Sequence, residues 1–124
     1  CTVNSFTSLS LDPPQFLFCL GNENGNLKSF KIKSPLNVNF LSKSQEKLSK
    51  KFAGDLLNRW SGVSFSKAKN KVPFFKKSLG LIESYVEKKL ISGDHTIIIC
   101  RITNFEIFNP KKPLIYYKSK YRSI

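Results

Sequence analysis

This chain of 124 residues holds three cysteines, Cys1, Cys19 and Cys100, and their spacing fits neither a zinc knuckle nor a redox pair. Cys19 and Cys100 both sit inside apolar runs, where they read as buried free thiols of a reducing compartment. His95 is the only histidine, and the sequence shows no metal-ligand cluster and no Ser-His-Asp arrangement. No apolar run approaches the ~20 residues that cross a bilayer, and no charged-then-apolar leader is present, so a soluble, cytoplasmic chain with no membrane partner is expected. GxGxxG and GxxxxGK[ST] are both missing, which removes the dinucleotide fingerprint and the P-loop. Arginine is scarce: of 21 basic residues only Arg59, Arg101 and Arg122 are Arg. Bidentate recognition of phosphate and guanine favours Arg over Lys. The net charge of +13 therefore reads as a solvated lysine face, and no nucleic-acid partner is expected.

What is present suffices for one domain over residues 1–124: 40% of the residues are hydrophobic and 13% aromatic. Residues 2 to 11 and 15 to 20 read as two strands around Asp12-Pro13-Pro14, because proline cannot donate to a ladder and the dipeptide forces a corner. Residues 21 to 26 (GNENGN) are loop by composition. Residues 37 to 41 (NVNFL) alternate polar and apolar as a half-buried strand does.

A helix follows. Ser42 and Gln45 have the capping-box spacing, Leu48 and Phe52 fall one turn apart on one face, and Gly54 can stop the helix in the left-handed conformation. Residues 61 to 78 show no sustained period and read as loop. Two long strands, about 79 to 91 and 95 to 108, meet at Ser92-Gly93-Asp94, a hairpin turn sequence. Asn109 to Pro113 breaks the second, and Leu114 to Tyr117 is the last short strand. One helix among five or six strands points to a mainly β, antiparallel barrel.

The first ten residues raise the functional question. Thr2, Asn4, Ser5, Thr7, Ser8 and Ser10 offer hydroxyls and amides that could hold a phosphate and a flat heterocycle without a helix N-terminus. The plainer alternative has them facing solvent while Phe6, Leu9 and Leu11 face the core. His95, beside a turn and next to Asp94, reads on its own as a solvated or structural residue. Trp60, Phe65, Phe74 and Phe75 carry no motif and read as packing.

"TVNSFTSLSLDPP" followed by "FLFCL" resembles the signature of the flavin reductase family, the NAD(P)H:flavin oxidoreductases that serve as reductase components of two-component monooxygenases. "NVNFLSKSQEKLSKKFAG", "GDHTIII" and "PLIYYKSKYRSI" continue the likeness in the family's order. The resemblance implies an FMN-binding split barrel, a homodimer, and a flavin lined by Thr2, Asn4, Ser5, Phe6, Thr7 and Ser8. It implies that Cys19 passes near the ring and that Phe52 walls the pocket. By the same likeness, His95, Tyr116 and Tyr121 lie on the nicotinamide side. Cys100, Arg101 and Ser84 depart from the family's usual residues. The family also carries strands upstream of this motif, so an N-terminally incomplete domain is expected.

The expected function is reduction of FMN or FAD by NADH or NADPH, with reduced flavin passed to a partner monooxygenase. It needs no metal and no protein nucleophile. The alternatives are a flavin carrier on the same barrel without efficient turnover and, third, a basic nucleic-acid-binding barrel.

Overall fold

The computed structural model describes residues 1–54, 56–108, 111–122 and 124. The strands are β1 (Thr7–Leu11), β2 (Pro14–Gly21), β3 (Pro35–Phe40), β4 (Ser66–Lys67), β5 (Pro73–Phe74), β6 (Gly80–Ser92), β7 (His95–Ile107), β8 (Ile115–Tyr117) and β9 (Lys120–Arg122); the helix α1 is Glu46–Ala53. A five-stranded sheet in the order β1-β2-β7-β6-β3, antiparallel throughout, forms the centre. β4–β5 and β8–β9 are separate antiparallel hairpins. The fold is mainly β, as expected. Among the described residues no helix is long and apolar enough to cross a membrane.

Alternation builds the sheet. On β2, Phe16, Phe18 and Leu20 are buried while Gln15, Leu17 and Cys19 are half-buried on the other face. In register across the ladder stand Cys100, Ile98 and Thr96 of β7, all buried. Leu36 of β3 and Val86 of β6 complete one core cluster, where each large apolar side chain contributes about 1.5–3 kcal/mol by leaving water. Cys100 packs there as a small apolar group. Burial pushes its thiol up to about 12, which leaves it inert as a nucleophile.

The β6–β7 hairpin is the spine, turned at Gly93 with φ +60°, where an L side chain is disfavoured. β2 covers β7 from His95 to Arg101, and β3 covers β6 from Gly80 to Tyr85. Gly80 is required where it stands, because a Cβ there would lie 2.8 Å from the backbone oxygen of Glu106.

Several elements differ from the sequence reading. The first strand begins at Thr7, not at residue 2. Upstream, the ladder continues through a side chain: the Ser5 hydroxyl accepts the N–H of Cys19 at 2.8 Å and donates to its carbonyl at 3.0 Å. The capping pair holds, with Gln45 Oε1 accepting the N–H of Ser42 at 2.9 Å, although a 3-10 turn, Lys43–Gln45, precedes α1. Gly54 ends the helix extended, at φ −89° and ψ −154°, rather than left-handed. Its carbonyl is taken instead by Arg59 Nη2 at 2.7 Å.

The stretch expected as loop, 61 to 78, contains the short hairpin β4–β5. Asn37 and Asn39 of β3 hold it: Asn37 Nδ2 donates to the Val72 carbonyl at 3.1 Å, and Asn39 Oδ1 accepts the N–H of Phe75 at 3.0 Å. Buried Glu83 accepts from the backbone of Asn70 at 2.8 Å and from Asn104 Nδ2 at 2.7 Å. Of the expected break at 109 to 113, residues 109 and 110 lie outside the described residues; β7 ends at Ile107, and Pro113 bridges to Ser42. After β8 the chain turns through Lys118 and Ser119, both at positive φ (50° and 59°), into β9, which the sequence reading lacked.

Candidate functional site

A cavity of about 1180 Å³ opens between the N-terminal segment, β3, α1, the β5 strand and the β8–β9 hairpin. Three tethers fix its walls. Thr2 donates its N–H to the carbonyl of Phe52 at 3.0 Å and its hydroxyl to the carbonyl of Ser49 at 2.6 Å, tying residues 1 to 6 to α1. The Ser49 hydroxyl is hydrogen-bonded to the phenol of Tyr121 at 2.8 Å, tying β9 to the same helix. The Asn37 and Asn39 bonds described above bring Phe75 to the third side.

The lining is of two kinds. Aromatic rings occupy several walls: Phe6 meets Phe40 edge-on at 5.3 Å, Phe52 meets Trp60 edge-on at 4.9 Å, and Tyr116 meets Tyr121 at 5.1 Å. Amides and hydroxyls lie between them, from Thr2, Asn4, Asn37, Asn39 and Ser49. The Asn4 side chain is exposed there and makes no hydrogen bond among the described residues. Positive charge comes from Lys50 and Lys120; Lys50 Nζ stands 5.4 Å from the Tyr121 ring centre and 3.6 Å from Glu46. A smaller adjoining hollow shares Thr2, Phe52 and Gly54 and is closed by Asn24, Gly25 and Asn26.

Of the residues expected at the site, Thr2, Asn4, Phe6, Phe52, Tyr116 and Tyr121 line this one cavity, whereas Ser5, Thr7, Ser8, Cys19 and His95 do not. Ser5 is committed to the Cys19 backbone, and Thr7 and Ser8 are exposed on the edge strand β1. His95 is exposed at the hairpin end of β7, its Nδ1 2.7 Å from Asp94 Oδ1. The hydrogen bond from His95 is the main cause holding the Asp94 carboxyl below its ordinary value. Asn22 braces that end, donating to the Asp94 carbonyl at 2.9 Å and to the Gly93 carbonyl at 3.2 Å, and accepting from Thr96 at 2.7 Å.

Sequence reasoning missed Asn37, Asn39, Ser49, Lys50, Trp60, Phe75 and Lys120 in the lining. The alternation in NVNFL does put both asparagines on one face, a usable signal. Trp60 and Phe75 carry none.

Over residues 1–124 the chain matches the family described as flavin reductase like domain. A Rhizobium meliloti protein named probable flavin reductase is 36% identical over 105 residues, which are 85% of this chain and 34% of that protein. The stachydrine N-demethylase reductase subunit of the same organism is 33% identical over 105 residues, 85% of this chain and 46% of that protein. The crystal structure of nitrilotriacetate monooxygenase component B from Mycobacterium thermoresistibile gives a TM-score of 0.92 at 26% identity, over 98% of this chain and 69% of that one. The chain thus spans about a third to a half of the length of these two curated relatives.

Proposed function

We propose that this chain, which belongs to the flavin reductase-like family, binds FMN or FAD in the cavity beside α1 and reduces it with hydride from NADH or NADPH. The reduced flavin then leaves for a separate monooxygenase component.

The observation that carries this reading is the mixed lining of the cavity. A flavin is a flat, apolar ring system with a polar edge and a hydroxylated, phosphorylated tail. The cavity offers Phe6 and Phe52 as flat walls and the unpartnered amide of Asn4 as donor and acceptor. Thr2 and Tyr121 serve by position: their hydrogen bonds to Ser49 fix the walls on which the ring would rest. When bound, the two cofactors supply the redox chemistry between themselves, a hydride leaving the nicotinamide ring for the flavin ring. The protein's own work is to hold the rings face to face and exclude water. His95 enters the proposal as a contact of the pyridine nucleotide outside the cavity wall.

The same proposal takes residues 1–124 as one domain of a cytoplasmic homodimer. Exposed Leu9, Leu11, Leu90, Ile91, Phe105 and Ile107 on the sheet support a covering partner copy, and free cysteines suit a reducing compartment. The test is steady-state oxidation of NADH and of NADPH with added FMN or FAD. Flavin-dependent oxidation is expected. Saturable flavin binding with no oxidation of either nucleotide would make the chain a carrier instead.

A further inference from the structure

Trp60 is the chain's only tryptophan, and its packing leaves one part of the ring open. Its ring meets Phe52 at 4.9 Å, Phe65 at 5.1 Å and Phe75 at 5.9 Å, yet it stays 43% exposed and forms part of the cavity wall. Its indole N–H has no hydrogen-bond partner among the described residues. A tryptophan usually buries its area and pairs its N–H.

The neighbouring backbone is held firmly. Arg59 donates to the Gly54 carbonyl at 2.7 Å and to Asn26 Oδ1 at 3.0 Å, Lys51 Nζ donates to the Ser61 carbonyl, and Val63 donates its N–H to the Trp60 carbonyl at 3.1 Å. An open aromatic surface fixed in this way is preorganised for a planar ligand.

The cavity, at about 1180 Å³, exceeds the ~300–1,000 Å³ usual for one small-molecule ligand. A hydride transfer between two cofactors needs room for both. Lys50 and Lys120 in the same lining complement a diphosphate. Asn4 and Phe6 serve the flavin in the reading above, which leaves the half-exposed face of Trp60 in the same cavity for the second ligand.

We propose, resting on the reductase reading above, that Trp60 is the platform on which a ring of the pyridine nucleotide stacks, with Lys50 and Lys120 on its diphosphate. Trp60 is then a specificity contact for the hydride donor, not for the flavin.

The single tryptophan supplies the assay. Oxidised NAD and NADP do not absorb where tryptophan emits, so they quench it by contact rather than by energy transfer. Saturable quenching is expected from the nucleotide whose reduced form supports turnover, and titrations with AMP and with nicotinamide mononucleotide identify the stacked ring. Trp60→Leu should raise the KM for that donor roughly tenfold, the loss of one base–aromatic stack, and change flavin affinity much less, through the Phe52 ring it packs on; Trp60→Phe should recover most of the donor KM. Absence of quenching by both oxidised nucleotides overturns the inference even if Trp60→Leu fails to fold. So does weakened flavin binding with an unchanged donor KM. A wild type that reduces flavin normally in either event leaves the reductase reading standing; a wild type that oxidises neither nucleotide removes both.

Discussion

The hydroxyl of Ser49, in the middle of α1, is hydrogen-bonded at 2.8 Å to the phenol of Tyr121 on β9, and the carbonyl of the same residue accepts the Thr2 hydroxyl. One helical turn thereby gathers residues from both ends of the chain around the cavity. Ser49 is 3% exposed, so removing its partner leaves a buried hydroxyl unsatisfied, at about 1–3 kcal/mol. Tyr121→Phe should lower the melting temperature and weaken flavin binding together. Thermal denaturation and a flavin titration of the same preparation check this; equal values in both for mutant and wild type would make the contact incidental.

Asn4 and Ser5 are neighbours with different work. Asn4 is in the cavity lining without a protein partner, so Asn4→Ala should cost flavin affinity, about 1–3 kcal/mol, with little change in melting temperature. Ser5 bonds both backbone groups of Cys19, so Ser5→Ala should lower the melting temperature first. Isothermal titration with FMN beside a melting curve separates the two effects.

The local chemistry explains how much could be read from sequence. The Ser42–Gln45 pair and the Ser92-Gly93-Asp94 turn were legible because each signal and its consequence lie within a few residues. The extended ending at Gly54 was not, because Arg59, five residues on, takes its carbonyl. Nor was β4–β5, which is held by Asn37, Asn39 and Glu83 from distant strands. The hydroxyl-rich segment did reach the cavity at Thr2 and Asn4. Its alternation stops short of a strand there, because Thr2 pairs with the helix end and Ser5 replaces a backbone partner. The role of Trp60 as cavity wall depends wholly on tertiary placement.

Glu87 accepts from Arg101 Nε at 2.8 Å and Nη2 at 3.1 Å, and from Gln15 at 3.2 Å. The hydrogen bond from Arg101 is the main cause holding its carboxyl below 4.5. A depressed carboxyl contributes stability above its unfolded value and loses it as pH falls through the folded one. Acidification below pH 4.5 should therefore lower the melting temperature of wild type more than that of Glu87→Gln. Both side chains are partly exposed, so the difference should be small. Parallel slopes across that range would show that the pair contributes nothing.

For His95, the proposed contact with the pyridine nucleotide predicts that His95→Ala raises the KM for NADH or NADPH several-fold and leaves flavin affinity intact. A structural role in bracing the hairpin through Asp94 predicts a lower melting temperature and unchanged kinetics. Measuring donor KM and thermal stability on one sample decides between them.

The most direct measurement is a single anaerobic turnover: protein, one equivalent of FMN or FAD and an excess of NADH or NADPH, followed by the absorbance of oxidised flavin. Bleaching of the flavin matched by one equivalent of nucleotide oxidised, and slowed in Asn4→Ala, is the predicted result. Flavin that binds in the cavity and stays oxidised with both donors would contradict it.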